Sequence, residues 1–449
     1  MSAPRSGTAR AALAKREFRT VWLGNLGSSM GSWMQTLVVG LFFQDLTGKA
    51  SWVGIAMFAQ MVPMLVFTIP GGVVADRFDR RRLLISLQLA QLVFSGTLGV
   101  LTLSTDAPPK LAVIALIFLG GCCNSLNAPA YSAVLPGLVG ARDLPGAIAL
   151  NSAAINGSRI VGPALGGLLY PIVGAGWLYV ANAVTFLFVV AALVAVRLPA
   201  LARPAGTGRS LSVGIRYARA DPVLRRILAT MTAFSLLCLP FISLWASLVR
   251  RHLSFASEGP VGLLYSVFGA GALVGSLAVG SVLAHHDRMR LVRLGLTGFG
   301  VTMAAIAAVP VVGVQFPLWF LLGVWYFGTT TSMLTIFQQR LDDTVRGRVM
   351  SLWFMSFGGT VSLCGPVFGP LLDATSSSVL LGISAGAAVV LGWWCNLQPL
   401  SGEPAPSRPE TSRLETSRLE TSGPETFRPE TRDPSPAAPR GDRRGGAGA

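Results

Sequence analysis

Apolar runs of about twenty residues recur along this chain, joined mostly by short polar connections. A helix needs about that length to cross a bilayer core, at about 1.5 Å per residue. Twelve such runs are expected, near residues 20–44, 51–75, 83–105, 111–138, 147–171, 176–196, 227–249, 260–284, 291–311, 316–339, 349–372 and 378–398. The fourth, fifth and eleventh are interrupted by Gly, Pro or polar residues, which a spanning helix tolerates where neighbours or a water cavity satisfy its backbone. With 52% apolar and only 12% charged residues, a soluble chain of two or three domains is excluded. The fold class expected is all-α and integral to the membrane.

Orientation follows from the connection at residues 71–84, where four arginines and two aspartates crowd between Asp76 and Arg82. Such a loop is pinned to a water interface, cytoplasmic by the positive-inside rule. Counted along the chain, 23 Lys and Arg fall on that side before any tail residue, against four (Lys49, Lys110, Arg250 and Arg251) on the other. Both termini are therefore expected in the cytoplasm. The net charge of +16 is explained by this anchoring at the bilayer, and no motif accompanies it that would favour nucleic acid as a partner. Abundant Arg and Ala with three lysines points to a GC-rich bacterial genome, hence to a bacterial cell membrane.

The chain divides into a leader (1–19), a six-helix bundle (20–196), a cytoplasmic linker (197–226), a second six-helix bundle (227–398) and a disordered tail (399–449). Apolar and basic residues at helical spacing in 210–226 predict a helix lying on the membrane surface. Gly72-x3-Asp76-Arg77-Phe78-Asp79-Arg80 returns as Gly280-x3-Ala284-His285-His286-Asp287-Arg288, and Gly162-Pro163 returns as Gly365-Pro366, at offsets of 208 and 203 residues. A parallel repeat of six spans is the pattern of alternating-access transporters. The tail carries five tandem pentads over 408–432, a composition that cannot bury a core.

Catalysis finds no support. The three histidines lie in connections, the five cysteines lie inside apolar runs, and no nucleophile elbow, phosphate loop or metal-ligand spacing occurs. No enzyme activity, metal or cofactor is expected, and nothing demands more than a monomer.

The pattern Gly72-x3-Asp76-Arg77-x2-Arg80-Arg81 resembles the loop 2–3 signature of the major facilitator superfamily, and Gly162-Pro163-x2-Gly166-Gly167 resembles its antiporter-associated helix 5 motif. Phe18-Arg19-x2-Trp22-x-Gly24-Asn25, Gly31-x-Trp33-Met34-Gln35, Asp45-Leu46-Thr47-Gly48 and Ala75–Arg81 are similar to the transmembrane secretion effector branch, which includes enterobactin-exporter-like proteins. The resemblance covers about residues 15 to 400 and implies twelve helices in two six-helix bundles. It also implies that Gly72, Asp76, Arg77, Asp79, Arg80 and Arg81 latch the bundles on the cytoplasmic side in the outward-open state. Asp79 stands where the broader motif has glycine. Topology anchoring alone would explain the arginines but not the two aspartates. The helix 5 motif implies export against an inward ion flux, beside the close packing that small residues and a proline allow.

Polar residues within spans point to the pathway: Asn25 and Gln35 on helix 1, Asn124 and Asn127 on helix 4, and Asn151, Asn156 and Arg159 on helix 5. Arg159 either contacts an anionic substrate or a carboxylate, or snorkels to the cytoplasmic interface. The arginine that many superfamily antiporters carry on helix 4 is missing, and Arg159 is its candidate substitute. No Asp or Glu lies mid-span, so the candidate coupling acids are Asp45 and Asp373 at the outer helix ends. Coupling runs through such an acid, or the ion is not a proton, or transport is uncoupled. The function expected is secondary-active export of small amphipathic molecules (siderophore-like compounds, natural products or drugs) by alternating access, with proton antiport. A nutrient importer of the same fold and a non-transporting sensor or scaffold are the alternatives.

Overall fold

The computed structural model describes residues 7–395 except 78, 141, 197–210, 255–258, 284 and 343–344, and omits the side chains of 68–77, 80, 128–129, 133, 211–213 and 347. The expected tail lies outside the described residues. Among the described residues there are helices and no strands. A short α1 (Ala9–Ala14) precedes α2 (Arg16–Thr47), α3 (Ala50–Arg77), α4 (Arg80–Ser104), α5 (Lys110–Val139) and α6 (Leu144–Ala195). After the linker helix α7 (Leu211–Ala220) come α8 (Pro222–Cys238), α9 (Pro240–Ser243), α10 (Trp245–Leu253), α11 (Gly259–Gly280), α12 (Arg288–Ala308) and α13 (Val312–Gln339). The chain then runs through α14 (Arg346–Phe354), a π-helical turn (Met355–Gly359), α15 (Thr360–Ala374) and α16 (Ser377–Trp394).

Three differences from the expected spans have local causes. The fifth and sixth runs are two helices, as expected, but follow one another within Leu144–Ala195 with no connecting loop, joined at a kink at Gly174, whose φ of +75° only glycine adopts without strain. The seventh run starts earlier, at Pro222, and breaks twice before Leu253. Pro240 has no N–H to continue the ladder from α8, and Leu239 before it leaves helical geometry at φ −107°, ψ 15°; Leu244 makes the second break at φ −112°, ψ 17°. The eleventh run carries the π turn just before its Gly365-Pro366 pair. Among the described residues nine helices, α6 counted once, are long and apolar enough to cross a membrane. With α6 counted twice, α2 and the broken α8–α10 supply the remaining crossings of a twelve-span chain.

Two bundles follow from the packing. α2 and α4 pack on α6 and α3 packs on α5, while α11 and α12 pack on α13 and α12 packs on α16. The second bundle is filled by interlocked aromatics, among them Phe241, Trp245, Phe268 and Trp319, with Trp245 and Trp319 centroids 4.6 Å apart at 63°, an edge-to-face geometry that adds to area burial. The repeated aspartates do the same work in each bundle. Asp79 accepts from Arg82 N at 2.8 Å to cap α4, and Asp287 accepts from Met289 N at 2.9 Å to cap α12.

The linker helix belongs to the second bundle. Tyr217 donates to the Arg340 carbonyl at 2.9 Å, and Gly214 lies against the Arg348 backbone. Burial, then the Asp342 carboxylate, push the Tyr217 phenol above its ordinary pKa, so it remains a donor well past neutral pH. Asp221 is fully buried, caps α8 through Val223 N (2.7 Å) and Leu224 N (3.3 Å), and holds Arg340 at 3.3 Å.

Candidate functional site

The bundles meet most closely on the face opposite the arginine-rich one. α3 and α15 touch there backbone to backbone: a methyl on Gly54 would come within 2.3 Å of the Gly365 carbonyl, and one on Gly369 within 2.7 Å of Ser51 Cα. Beside this seam, α10 presents two adjacent arginines. Arg250 pairs with Asp45 at the end of α2, which also accepts from the Tyr170 hydroxyl at 2.8 Å. Arg251 donates to Asp373 at 2.8 Å, to the Leu372 carbonyl at 2.8 Å and to the Gly48 carbonyl at 2.9 Å. Asp373 in turn accepts from Ala50 N at 2.7 Å and Ser51 N at 2.9 Å, so a carboxylate of one bundle caps the first turn of α3 in the other. Ser247 bonds Gln44 alongside. This face is sealed.

The helix 5 motif joins the bundles at a second seam. Gly162 admits the Met30 carbonyl and Trp33 Cβ, each 2.7 Å from where its own Cβ would sit, and Gly166 lies over Met34. On its other side, Pro163 and Gly167 take Gly262 of α11, whose methyl would meet Gly167 Cα at 2.5 Å. The seam continues to Ser266, which donates to the Ile160 carbonyl at 2.7 Å.

One residue beyond Ile160 along this seam stands Arg159. It lies fifteen residues from Leu144 and fifteen from Gly174, about 22 Å from either end of this half of α6. The side chain is therefore at mid-depth and not at the arginine-rich interface. Its guanidinium carbon is 4.8 Å from the ring centre of Trp33 on α2 and 5.1 Å from that of Phe327 on α13, one ring from each bundle. Its Nε is buried without a hydrogen-bond partner, and among the described residues no carboxylate pairs with it. Aromatic faces offset part of the cost of a desolvated cation, but unsatisfied N–H donors remain expensive. A ligand that accepts hydrogen bonds would relieve that cost. A cavity of about 20 Å³ lined by Thr36, Met61, Trp245 and Tyr265 lies next to this cluster, again between the bundles. Gln60 donates to Thr36 at 3.0 Å and leaves its own Oε1 unpaired.

The other expected pathway residues are more scattered. Gln35 is tied inside the first bundle, accepting from Ser95 at 2.8 Å and Asn182 at 2.6 Å. Asn127 accepts from Gln88 at 3.3 Å, Asn156 returns a bond to the Ser152 carbonyl at 2.9 Å, and the Asn151 carbonyl oxygen is buried and unpaired. Asn124 is exposed and Asn25 half-buried. Among the described residues no hydrogen bond joins any of these to Arg159. In the loop motif, Arg81 donates to the Leu193 and Val194 carbonyls at 3.0 and 2.8 Å, at the end of α6 in its own bundle. The side chains of Gly72, Asp76, Arg77 and Arg80 lie outside those described. Sequence reasoning missed Trp33 and Phe327 as walls, and Arg250 and Arg251 as a seal. The latter had a signal: an arginine pair on the face poor in positive charge, facing the two acids at that face.

Two helical bundles joined along one face by a cross-bundle ion pair and charge-assisted hydrogen bonds, with a cation held between them at mid-depth, define a membrane transporter of the major facilitator type. The chain belongs to the transmembrane secretion effector family, which matches residues 7–416. It is 25% identical to the staphyloferrin A transporter of Staphylococcus aureus over 76% of this chain and 87% of that one. It is 29% identical to the enterobactin exporter EntS of Citrobacter koseri over 75% of this chain and 80% of that one. Among solved structures, the nucleoside transporter NupG superposes with a TM-score of 0.71 at 14% identity, covering 86% of this chain and 99% of that one. A bacterial homologue of the iron transporter ferroportin in its inward-facing state gives 0.67 at 16%, with the same coverage. These likenesses show the fold.

Proposed function

We propose that this chain is a secondary-active exporter of small amphipathic molecules, siderophore-like compounds foremost, working by alternating access with protons as the exchanged ion. The observation that carries the reading is Arg159, a mid-depth guanidinium between Trp33 and Phe327 that no acid among the described residues pairs with. Its charge and unpartnered Nε donor suit an oxygen-rich or anionic group, and the surrounding rings suit an apolar or aromatic body. The names of the relatives, an enterobactin exporter and a staphyloferrin A transporter, support the siderophore-like choice.

In this reading the arginine-rich face is cytoplasmic, both termini lie there, and the protein acts as a monomer in a bacterial cell membrane. Substrate reaches Arg159 from the cytoplasm, past Asn25, Asn124, Asn127, Asn151 and Asn156. Export requires Arg250 to release Asp45, and the Arg251–Asp373 pair to release Gly48 and the first turn of α3. A proton arriving from outside neutralises either carboxylate and removes its ion pair, which makes these the coupling acids. As the outer seal opens, Gly72, Asp76, Arg77, Asp79, Arg80 and Arg81 latch the cytoplasmic side.

The test is uptake into inverted vesicles under an imposed proton gradient, over a panel of siderophores, dyes and apolar antibiotics. Wild type accumulates at least one siderophore, and Arg159→Gln raises its half-saturation concentration about tenfold to a hundredfold, the worth of hydrogen bonds to a charged group. Equal transport by the variant removes Arg159 from the substrate site. Accumulation only in right-side-out vesicles makes the protein an importer.

A further inference from the structure

A cavity of about 400 Å³ lies between α7, the first turns of α8 and the α14–π–α15 helix, with Leu65 of α3 on its far wall. Two stripes face each other across it. Arg225, Leu228 and Thr232 recur at i, i+3 and i+7 on α8, which is one helical face. Opposite them run Leu352, Met355, Gly359 and Leu363. The π turn supplies two of these four, and such turns frequently mark functional sites. Charge is confined to one end: Arg219 of α7 and Arg225 are exposed at the mouth, and the remaining walls are apolar or carry only hydroxyls. Among the described residues no carboxylate pairs with either arginine.

Two tryptophans fix the depth of that mouth. Trp393 and Trp394 end α16 on the same face and are exposed. Arg293 stands 5.4 Å from the first ring and Arg226 stands 5.4 Å from the second. Exposed tryptophan under a snorkelling arginine marks the headgroup level of a bilayer. Arg225 precedes Arg226, so the mouth opens at headgroup depth and the apolar walls run from it into the hydrocarbon, where Leu363 is exposed.

We propose that this crevice is a binding site for an anionic phospholipid of the cytoplasmic leaflet, its phosphate between Arg219 and Arg225 and an acyl chain along Leu228, Leu352, Met355 and Leu363. The proposal takes from the functional reading only the orientation that names the leaflet, and it is independent of what is exported. Two guanidiniums without acids match a phosphate, and a basic pocket between spans on this side is the setting in which anionic headgroups are held. The length of apolar wall below them has no use for a free anion. Leu65 belongs to the opposite bundle from the other walls, so the lipid touches both bundles at once. Its chain must yield before α3 and the π turn can move relative to one another.

Native mass spectrometry of the full chain, released from nanodiscs of phosphatidylcholine containing graded phosphatidylglycerol, tests this. Wild type retains one phosphatidylglycerol. Arg219→Gln with Arg225→Gln weakens retention about twentyfold to thirtyfold, near fivefold per arginine. Thr232→Trp keeps both charges but fills the crevice, and loses the lipid as well. Arg293→Gln, at the same depth outside the crevice, retains it. Thermal unfolding of each variant at the wild-type temperature separates loss of the site from loss of the fold. Undiminished retention in either crevice variant, or equal loss in Arg293→Gln, overturns the site. Competition by glycerol phosphate alone makes it a plain anion site, and displacement by a siderophore assigns the crevice to the substrate path; either result overturns the lipid.

Discussion

The two faces of the molecule use their charges in opposite ways. On the sealed face charge reaches across between bundles: Arg250 to Asp45, Arg251 to the Gly48 carbonyl, and Asp373, itself paired with Arg251 in its own bundle, to the first turn of α3. On the arginine-rich face the described contacts stay within a bundle: Arg81 to the end of α6, Asp79 and Asp287 to their own helices, Asp221 to Arg340. Charge that bridges bundles sets which face is closed. Charge that closes on its own bundle shapes that bundle while this state lasts. Substitutions on the first face should therefore shift the conformational equilibrium, and those at Asp221 and Asp287, which are no part of the proposed latch, should change stability alone.

The largest effect is expected at Gly54. A leucine there overlaps the Gly365 backbone, and overpacking against backbone costs about 3 kcal/mol, or a hundredfold in the equilibrium. A cysteine placed at Val53, 1% exposed beneath the seal, should then react about a hundredfold faster with an impermeant thiol reagent; an unchanged rate breaks the comparison at its strongest point. Asp221→Ala strips a fully buried pair and a helix cap, lowering stability by about 3 kcal/mol. Denaturation in detergent measures that loss, and Val53→Cys labelling should stay as it was. Arg251→Ala removes one bond across the seam, to Gly48, and the two that hold the Asp373 end of α15 in place, and should raise labelling about tenfold to thirtyfold, equivalent to about 2 kcal/mol from charge-assisted bonds. Arg250→Ala sharpens the point. Its pair with Asp45 leaves the two side chains 33% and 38% exposed, so screening holds the effect below about 1 kcal/mol, or fivefold. If the two arginines prove equal, the seal is a matter of net charge and not of the Asp373 cap.

Much of this architecture was legible in the sequence, because hydropathy and charge are summed over tens of residues and survive local irregularity. The Gly72 to Asp79 and Gly280 to Asp287 repeat anticipated two aspartates that cap α4 and α12 alike. What escaped depends on single backbone torsions or on partners far along the chain. Leu244 splits a span, and Gly174 lets two spans meet without a loop; a windowed average shows neither geometry. Arg251 and Asp373 are 122 residues apart, and only packing of α10 against α15 and α3 brings them together. Arg159 was visible as the charge inside a span. Its depth was not, because that depends on where α6 begins, and a snorkelling arginine would read the same. The two aromatic walls were hidden among many rings whose usual task is to fill a core.

Gly174 also decides how the sealed face can be approached from outside. The fifth and sixth crossings are joined there by one glycine in a left-handed conformation, with no polar loop between them. An antibody, a glycan or a protease needs an extended stretch of several residues, and this junction offers none. Epitope tags or cleavage sites meant to report on that face belong instead near Asp106, in the turn between α4 and α5, where four consecutive residues from Ser104 to Ala107 are exposed. An insertion at Gly174 would disturb the kink that joins two crossings with no loop to absorb it.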